Sequence, residues 1–129
     1  SNWEPTRVRS FDGLLNACRS LTEIDVSGLD TSRCEQFSQM FEACVNLERI
    51  IGIEDWDVSN ASNSAFSETF HCCYKLDRLD LSRWVAAPDN VARMFKGCRS
   101  LTEIDISGLK IDEETVVDEM FDECWRMRR

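Results

Sequence analysis

Apolar residues recur along the chain at i, i+3, i+4, i+7, five times over. The series are Phe11-Leu14-Leu15-Cys18, Phe37-Met40-Phe41-Cys44, Phe66-Thr69-Phe70-Cys73, Val91-Met94-Phe95-Cys98 and Val117-Met120-Phe121-Cys124, with Thr69 the one polar member. In an α-helix this spacing puts all four side chains on one face. The pattern therefore predicts five helices of about two to three turns, too short to be stable alone. Boundary signals agree. Ser32 and Glu35 have capping-box spacing, and Asp89 and Asp112 stand at N-cap positions before the fourth and fifth helices. Pro88 blocks continuation from upstream, and Gly97 suits a helix end.

Strand patterns lie between the helical ones. Leu21–Val26, Leu76–Leu81 and Leu101–Ile106 each end in two aliphatics flanking a polar residue, which is period-2 alternation. Leu47–Ile53 carries one residue more, so Ile51-Gly52 is expected to form a bulge. Two further residues are added between Asp57 and Ala65. The intervals between Cys18, Cys44, Cys73, Cys98 and Cys124 are accordingly 26, 29, 25 and 26. The match is closest between Cys18–Leu29 and Cys98–Leu109, which differ only at Val26 and Ile106. Leu29, Trp56, Trp84 and Leu109 close each strand segment and are expected to plug the core rather than bind a ligand.

A unit of about 26 residues cannot bury its own apolar face, and stacked copies can. The expectation is one α/β domain over residues 1–129, with repeats at about 11–36, 37–65, 66–90 and 91–116 and a terminal helix at 117–129. Parallel strands about 4.8 Å apart and helices about 8–10 Å apart would force a curve, with the sheet concave and the helices convex. Phe41, Phe70, Phe95 and Phe121 should then form one internal row. Asn2-Trp3 is expected to cover the first repeat and Trp125 the last; otherwise Leu101–Ile106 leaves an open edge for self-association.

Met40-Phe41-Glu42-Ala43-Cys44-Val45-Asn46-Leu47 and Met94-Phe95-Lys96-Gly97-Cys98-Arg99-Ser100-Leu101, with Leu79-Asp80-Leu81-Ser82 and Trp56-Asp57-Val58-Ser59-Asn60, carry a resemblance. They resemble the leucine-rich repeats of the BspA-like bacterial surface proteins, over roughly residues 11–124. The departures are Leu14-Leu15 for Met-Phe, Thr69 for Met, and the connection Val85–Pro88. The resemblance implies a right-handed leucine-rich-repeat solenoid displayed at a cell surface or secreted, binding host or matrix macromolecules. It transfers no ligand and no catalytic residue.

Charge narrows the partners. A formal net charge of −9 opposes a general nucleic-acid binder, which needs excess Lys and Arg. No window is long and apolar enough to span a membrane. The start, Ser1-Asn2-Trp3-Glu4-Pro5, lacks a signal-peptide pattern, although the chain reads equally as a piece of a longer protein. Seven cysteines suggest a disulfide framework until five fall into register. One small buried residue per repeat explains them, and reduced thiols are expected, with Cys34 and Cys72 lying off the ladder.

Catalytic chemistry is thin. His71 is the single histidine, and pairing with the adjacent Cys72 or Cys73 is a poor route to a nucleophile. There is no Cys-x-x-Cys and no Gly-rich phosphate loop. The expectation is no enzyme, no cofactor and no metal site. The candidate partner-binding residues lie in columns on the strand face. Glu23, Arg49, Arg78 and Glu103 form one, with cross-strand pairs Glu23–Arg49 and Arg78–Glu103. Asp25, Ile51-Gly52, Asp80 and Asp105 form another, in which Asp80 and Asp105 are like charges that Arg78, a cation or a basic partner would neutralise. A third runs through Ser27, Glu54, Ser82 and Ser107. The functional expectation is a noncatalytic protein-interaction or adhesion module. The alternative is a small acidic intracellular inhibitor or nucleic-acid mimic that binds a basic protein.

Overall fold

Where the apolar period predicts helices, the backbone makes β-turns. The computed structural model describes residues 9–127. Its regular elements are four short strands, β1 (Glu23–Asp25), β2 (Arg49–Ile51), β3 (Arg78–Asp80) and β4 (Glu103–Asp105). Among the described residues the one helical element is a 3-10 turn at Ile53–Asp55. All five expected helices, including the one at 117–129, are absent from the described residues. Each is replaced by two consecutive four-residue turns.

The second of the five segments is representative. Met40 N–H donates to Phe37 C=O at 3.3 Å and Cys44 N–H to Phe41 C=O at 3.1 Å. The third residues of these turns, Gln39 and Ala43, have φ of 57° and 60°, as in a type II turn. The same i to i+3 bonds and the same positive φ recur at Gly13 and Ala17, Glu68 and Cys72, Arg93 and Gly97, and Glu119 and Glu123. Positions i, i+3, i+4 and i+7 are the first and last residues of two successive turns. Paired turns thus send the same four side chains inward as a helix does. The period cannot tell the two apart.

What decides between them is where the remaining N–H groups go. Phe11, Gly13, Leu15 and Ala17 donate to the carbonyls of Gln36, Ser38, Met40 and Glu42 in the next repeat, at 2.7–2.9 Å. Phe37, Gln39, Phe41 and Ala43 do the same to Ala65, Ser67, Thr69 and His71. The ladder continues from Glu68, Phe70 and Cys72 to Ala92, Met94 and Lys96, and from Val91, Arg93, Phe95 and Gly97 to Val116, Asp118, Met120 and Asp122. An α-helix would spend these donors within itself. Here they join repeat to repeat, so the helix-width argument for curvature no longer applies. The expected caps change meaning as well. Ser32 donates to Asp30 Oδ1 at 2.6 Å instead of capping a helix, and Asp112 Oδ1 accepts from Glu114 N–H, two residues on.

The core lies between the turn side and the strand side. Phe41, Phe70, Phe95 and Phe121 form a row with ring centroids 5.6, 5.6 and 5.5 Å apart and planes within 5° of parallel, but only the first three are internal, since Phe121 at its end is 39% exposed. Each fully buried ring contributes about 1.5–3 kcal/mol by leaving water. Trp56 and Trp84 are buried and stacked at 6.1 Å. Their indole N–H groups donate to Val26 C=O at 3.2 Å and Ile53 C=O at 3.0 Å, each in the preceding repeat. Thr69, the polar member of its series, is buried and gives its hydroxyl to Phe66 C=O at 2.7 Å.

The seven cysteines are free. Four of the ladder thiols reach back one repeat: Cys44 to Leu15 C=O, Cys73 to Phe41 C=O, Cys98 to Phe70 C=O and Cys124 to Phe95 C=O, at 3.0–3.2 Å. Burial pushes the Cys44 thiol up to about 11 and raises Cys73 and Cys98 further. Of the two expected covers, Asn2-Trp3 lies outside the described residues. Trp125 does not seal its end: it is 69% exposed, with Arg99 over its ring at 5.0 Å.

Candidate functional site

On the strand side, the chain leaves three of the four three-residue strands, β1, β3 and β4, through an Asp-x-Ser turn, whereas β2 runs into Gly52. Asp25 accepts from Ser27 N–H at 2.9 Å and Ser27 Oγ at 2.5 Å. Asp80 accepts from Ser82 N–H at 3.0 Å and Oγ at 2.6 Å, and Asp105 accepts from Ser107 N–H at 2.9 Å. Asp30 and Asp57 repeat the device with Ser32 and Ser59. The serine hydroxyl, and then the serine N–H, holds the carboxyls of Asp25, Asp30, Asp57 and Asp80 below the usual carboxylate range. Asp80 and Asp105 do pair across β3 and β4 as expected. Each also accepts hydrogen bonds within its own turn through Oδ1. The triplet Asp-x-Ser, present five times, is the signal that identifies these residues as turn formers.

The charge column is in place. Glu23 faces Arg49 across β1 and β2 with an Oε2–Nη2 distance of 3.1 Å, and Arg78 faces Glu103 across β3 and β4 at 3.8 Å. All four side chains are at least half exposed, so each pair contributes at most about 1 kcal/mol.

The sheet itself is split. β1 pairs with β2 and β3 with β4, both parallel, while β2 and β3 are not hydrogen-bonded to each other. At the split lies the extra residue of the second repeat. Gly52 has φ of 90°, and a Cβ there would meet Ser27 Cβ at 2.6 Å. It leads into the 3-10 turn Ile53–Asp55, which contacts β3. The expected Ile51-Gly52 bulge is replaced by a strand end: Ile51 pairs in register with Asp25, and the extra residue is taken up by the left-handed Gly52 and the 3-10 turn after it. Between the two sheets runs a groove of about 460 Å³. Its apolar lining comes from Ile50, Ile51, Ile53 and Leu79, its charged lining from Glu48, Arg49, Glu54, Asp77, Arg78 and Asp80. Of the candidate residues, the groove gathers Arg49, Arg78 and Asp80; Glu23 and Asp25 lie beyond it on β1, and Glu103 and Asp105 on β4.

A second polar constellation lies on the turn side, where the helical reading missed it. His71 Nδ1 is 2.7 Å from Glu42 Oε2 and 3.5 Å from Glu68 Oε2. A helix shows Glu68 and His71 as i, i+3 neighbours on a solvated face but gives no reason to bring in Glu42. The turn ladder does, because it sets the second residues of successive turns side by side. Among the described residues, the donor atoms of these three are grouped closely enough to hold a metal ion. His71 therefore faces carboxylates, and Cys73, its supposed nucleophilic partner, is buried with its thiol hydrogen-bonded to Phe41 C=O.

Among the described residues no helix is long and apolar enough to cross a membrane. No curated protein and no solved structure matches the chain. The five-fold turn ladder and the strands 25 to 29 residues apart fall within one family model that covers residues 9–129, and the chain belongs to that family, described as Mycoplasma protein of unknown function, DUF285.

Proposed function

We propose that the chain is a noncatalytic interaction module that binds a macromolecular partner through its strand side. In this reading the repeats form a right-handed solenoid of the leucine-rich-repeat kind in which paired turns replace the convex helices. The continuous turn ladder and the aromatic row support the stacking. Surface display rests on the resemblance to BspA-like proteins.

The observation that carries the reading is the groove between β2 and β3. It combines apolar lining with a rim of both signs of charge, the combination expected where a partner inserts an apolar side chain and is oriented by charge. Ile51, one of its lining residues, is 38% exposed. A nucleophilic role for Cys73 is disfavoured by its burial and raised thiol.

The test measures binding of the purified chain to immobilised host matrix proteins. The double variant Arg49→Glu/Arg78→Glu should lose binding, and Asp118→Lys, exposed on the turn side, should retain it. Folding is checked by circular dichroism. Equal binding by all three proteins would remove the strand side from consideration. Asp80 and Asp105 are poor choices for this test, since their replacement opens Asp-x-Ser turns.

A further inference from the structure

We infer that Glu42, Glu68 and His71 form a binding site for one divalent transition-metal ion, zinc by preference, that ties the second repeat to the third. The three donor atoms lie within 4.8 Å of one another. One imidazole nitrogen and two carboxylate oxygens are a donor set suited to zinc. Tetrahedral bonds of about 2.0–2.1 Å set ligand atoms about 3.3 Å apart. The Glu68–His71 separation of 3.5 Å is already close to this, and the Glu42–His71 separation of 2.7 Å opens to it by a small side-chain rotation.

The outer atoms are held as a metal site requires. Asn16 Nδ2 donates to Glu42 Oε1 at 3.1 Å, and Gln39 Nε2 donates to Glu68 Oε1 at 3.2 Å. Each amide occupies one carboxylate oxygen and leaves the other, Oε2, turned to His71 Nδ1. Partners that fix the orientation of ligating carboxylates are a regular feature of metal centres. The backbone beneath is equally constrained: Ala43 N–H donates to His71 C=O at 2.7 Å. The ligand side chains are 20–25% exposed, which leaves an entry path and room for a water as fourth ligand.

A comparison within the ladder sharpens the case. Between the fourth and fifth repeats the equivalent turn positions hold Arg93 and Lys96 facing Glu119 and Asp122. Arg93 Nε and Lys96 Nζ lie 2.8 and 2.9 Å from Glu119 Oε1. Positive and negative charge balance there within the protein. Between the second and third repeats the same positions hold two carboxylates and one imidazole. Arg93, which follows Glu68 in the same column, makes its ion pair with Glu119. A metal cation supplies positive charge at this junction.

The experiment titrates zinc sulfate into the full chain by calorimetry and repeats the titration with cobalt while recording the absorption spectrum. The expected result is one ion per chain, a cobalt spectrum without a thiolate charge-transfer band, and a thermal midpoint raised by zinc. His71→Gln should abolish both the binding and the rise in midpoint. Asn16→Ala and Gln39→Ala should each weaken binding by about tenfold or more. All three positions lie on turn surfaces, and circular dichroism without metal confirms that the variants fold. Absence of zinc binding by the wild-type chain would overturn the inference. So would binding that His71→Gln leaves intact, or a thiolate band, since either assigns the metal to the cysteines.

Discussion

The two sides of the molecule respond differently to the same irregularity. On the turn side, backbone hydrogen bonds pass from each repeat to the next through all five segments. On the strand side, they stop between β2 and β3. The second repeat exceeds the others by three or four residues. All of that length falls between Ile51 and Phe66, and none of it falls within the turns. A side whose registry is kept acts as a scaffold, and a side that absorbs insertions can open a groove without cost to the other. Binding surfaces grow on the second kind.

The largest expected effect tests the scaffold. Phe70→Ala removes a fully buried ring stacked on both neighbours and should cost about 3–5 kcal/mol in urea unfolding. Arg49→Ala on the strand side should stay within about 0.5 kcal/mol. A strand-side loss as large as the turn-side loss would erase the distinction. Next comes the split. Gly52→Ala forces a Cβ into Ser27 at a positive φ and should cost about 1–3 kcal/mol, with chemical-shift changes confined to β1, β2 and the groove.

Ala43→Gly separates turn from helix by sign. In a helix interior the change destabilises by about 1 kcal/mol. At a φ of 60° it relieves backbone strain and should be neutral or stabilising by up to about 1 kcal/mol. A clear loss in the denaturation midpoint would restore the helical reading.

The smallest effect is electrostatic. Hydrogen bonds from Arg93 and then Lys96 hold Glu119 down at about 2, from an ordinary 4.5. A lowered carboxyl stabilises the fold above the unfolded value, and that contribution is lost as pH falls from 4.5 toward 2. Glu119→Gln should therefore flatten the acid limb of stability in that window and leave the slope near neutrality unchanged, as followed by urea midpoints.

Much of this was legible before any coordinates. The period, the registry of Glu23 with Arg49 and Arg78 with Glu103, the irregularity at Gly52, the buried tryptophans and the stacking of the phenylalanines all follow from counting residues. The helices did not follow correctly, because inward positions at i, i+3, i+4 and i+7 belong equally to a helix and to paired turns. Gly13 and Gly97, at the third position of their turns, were the available hint. At the other third positions Ala, Gln, Glu, Arg and Cys conceal the left-handed backbone. The turn role of Asp80 and Asp105 went unseen because side-chain column and turn chemistry were read separately. Glu42 escaped notice because its neighbour, His71, is 29 residues away.

The thiol-to-carbonyl bonds have an experimental consequence. Every ladder cysteine from Cys44 to Cys124 is shielded only while the preceding repeat remains docked against it. Reagent uptake at each sulfur then becomes a local clock for separation at that junction. Mass spectrometry of labelled peptides would resolve fraying from either end, junction by junction, with no probe added to the protein.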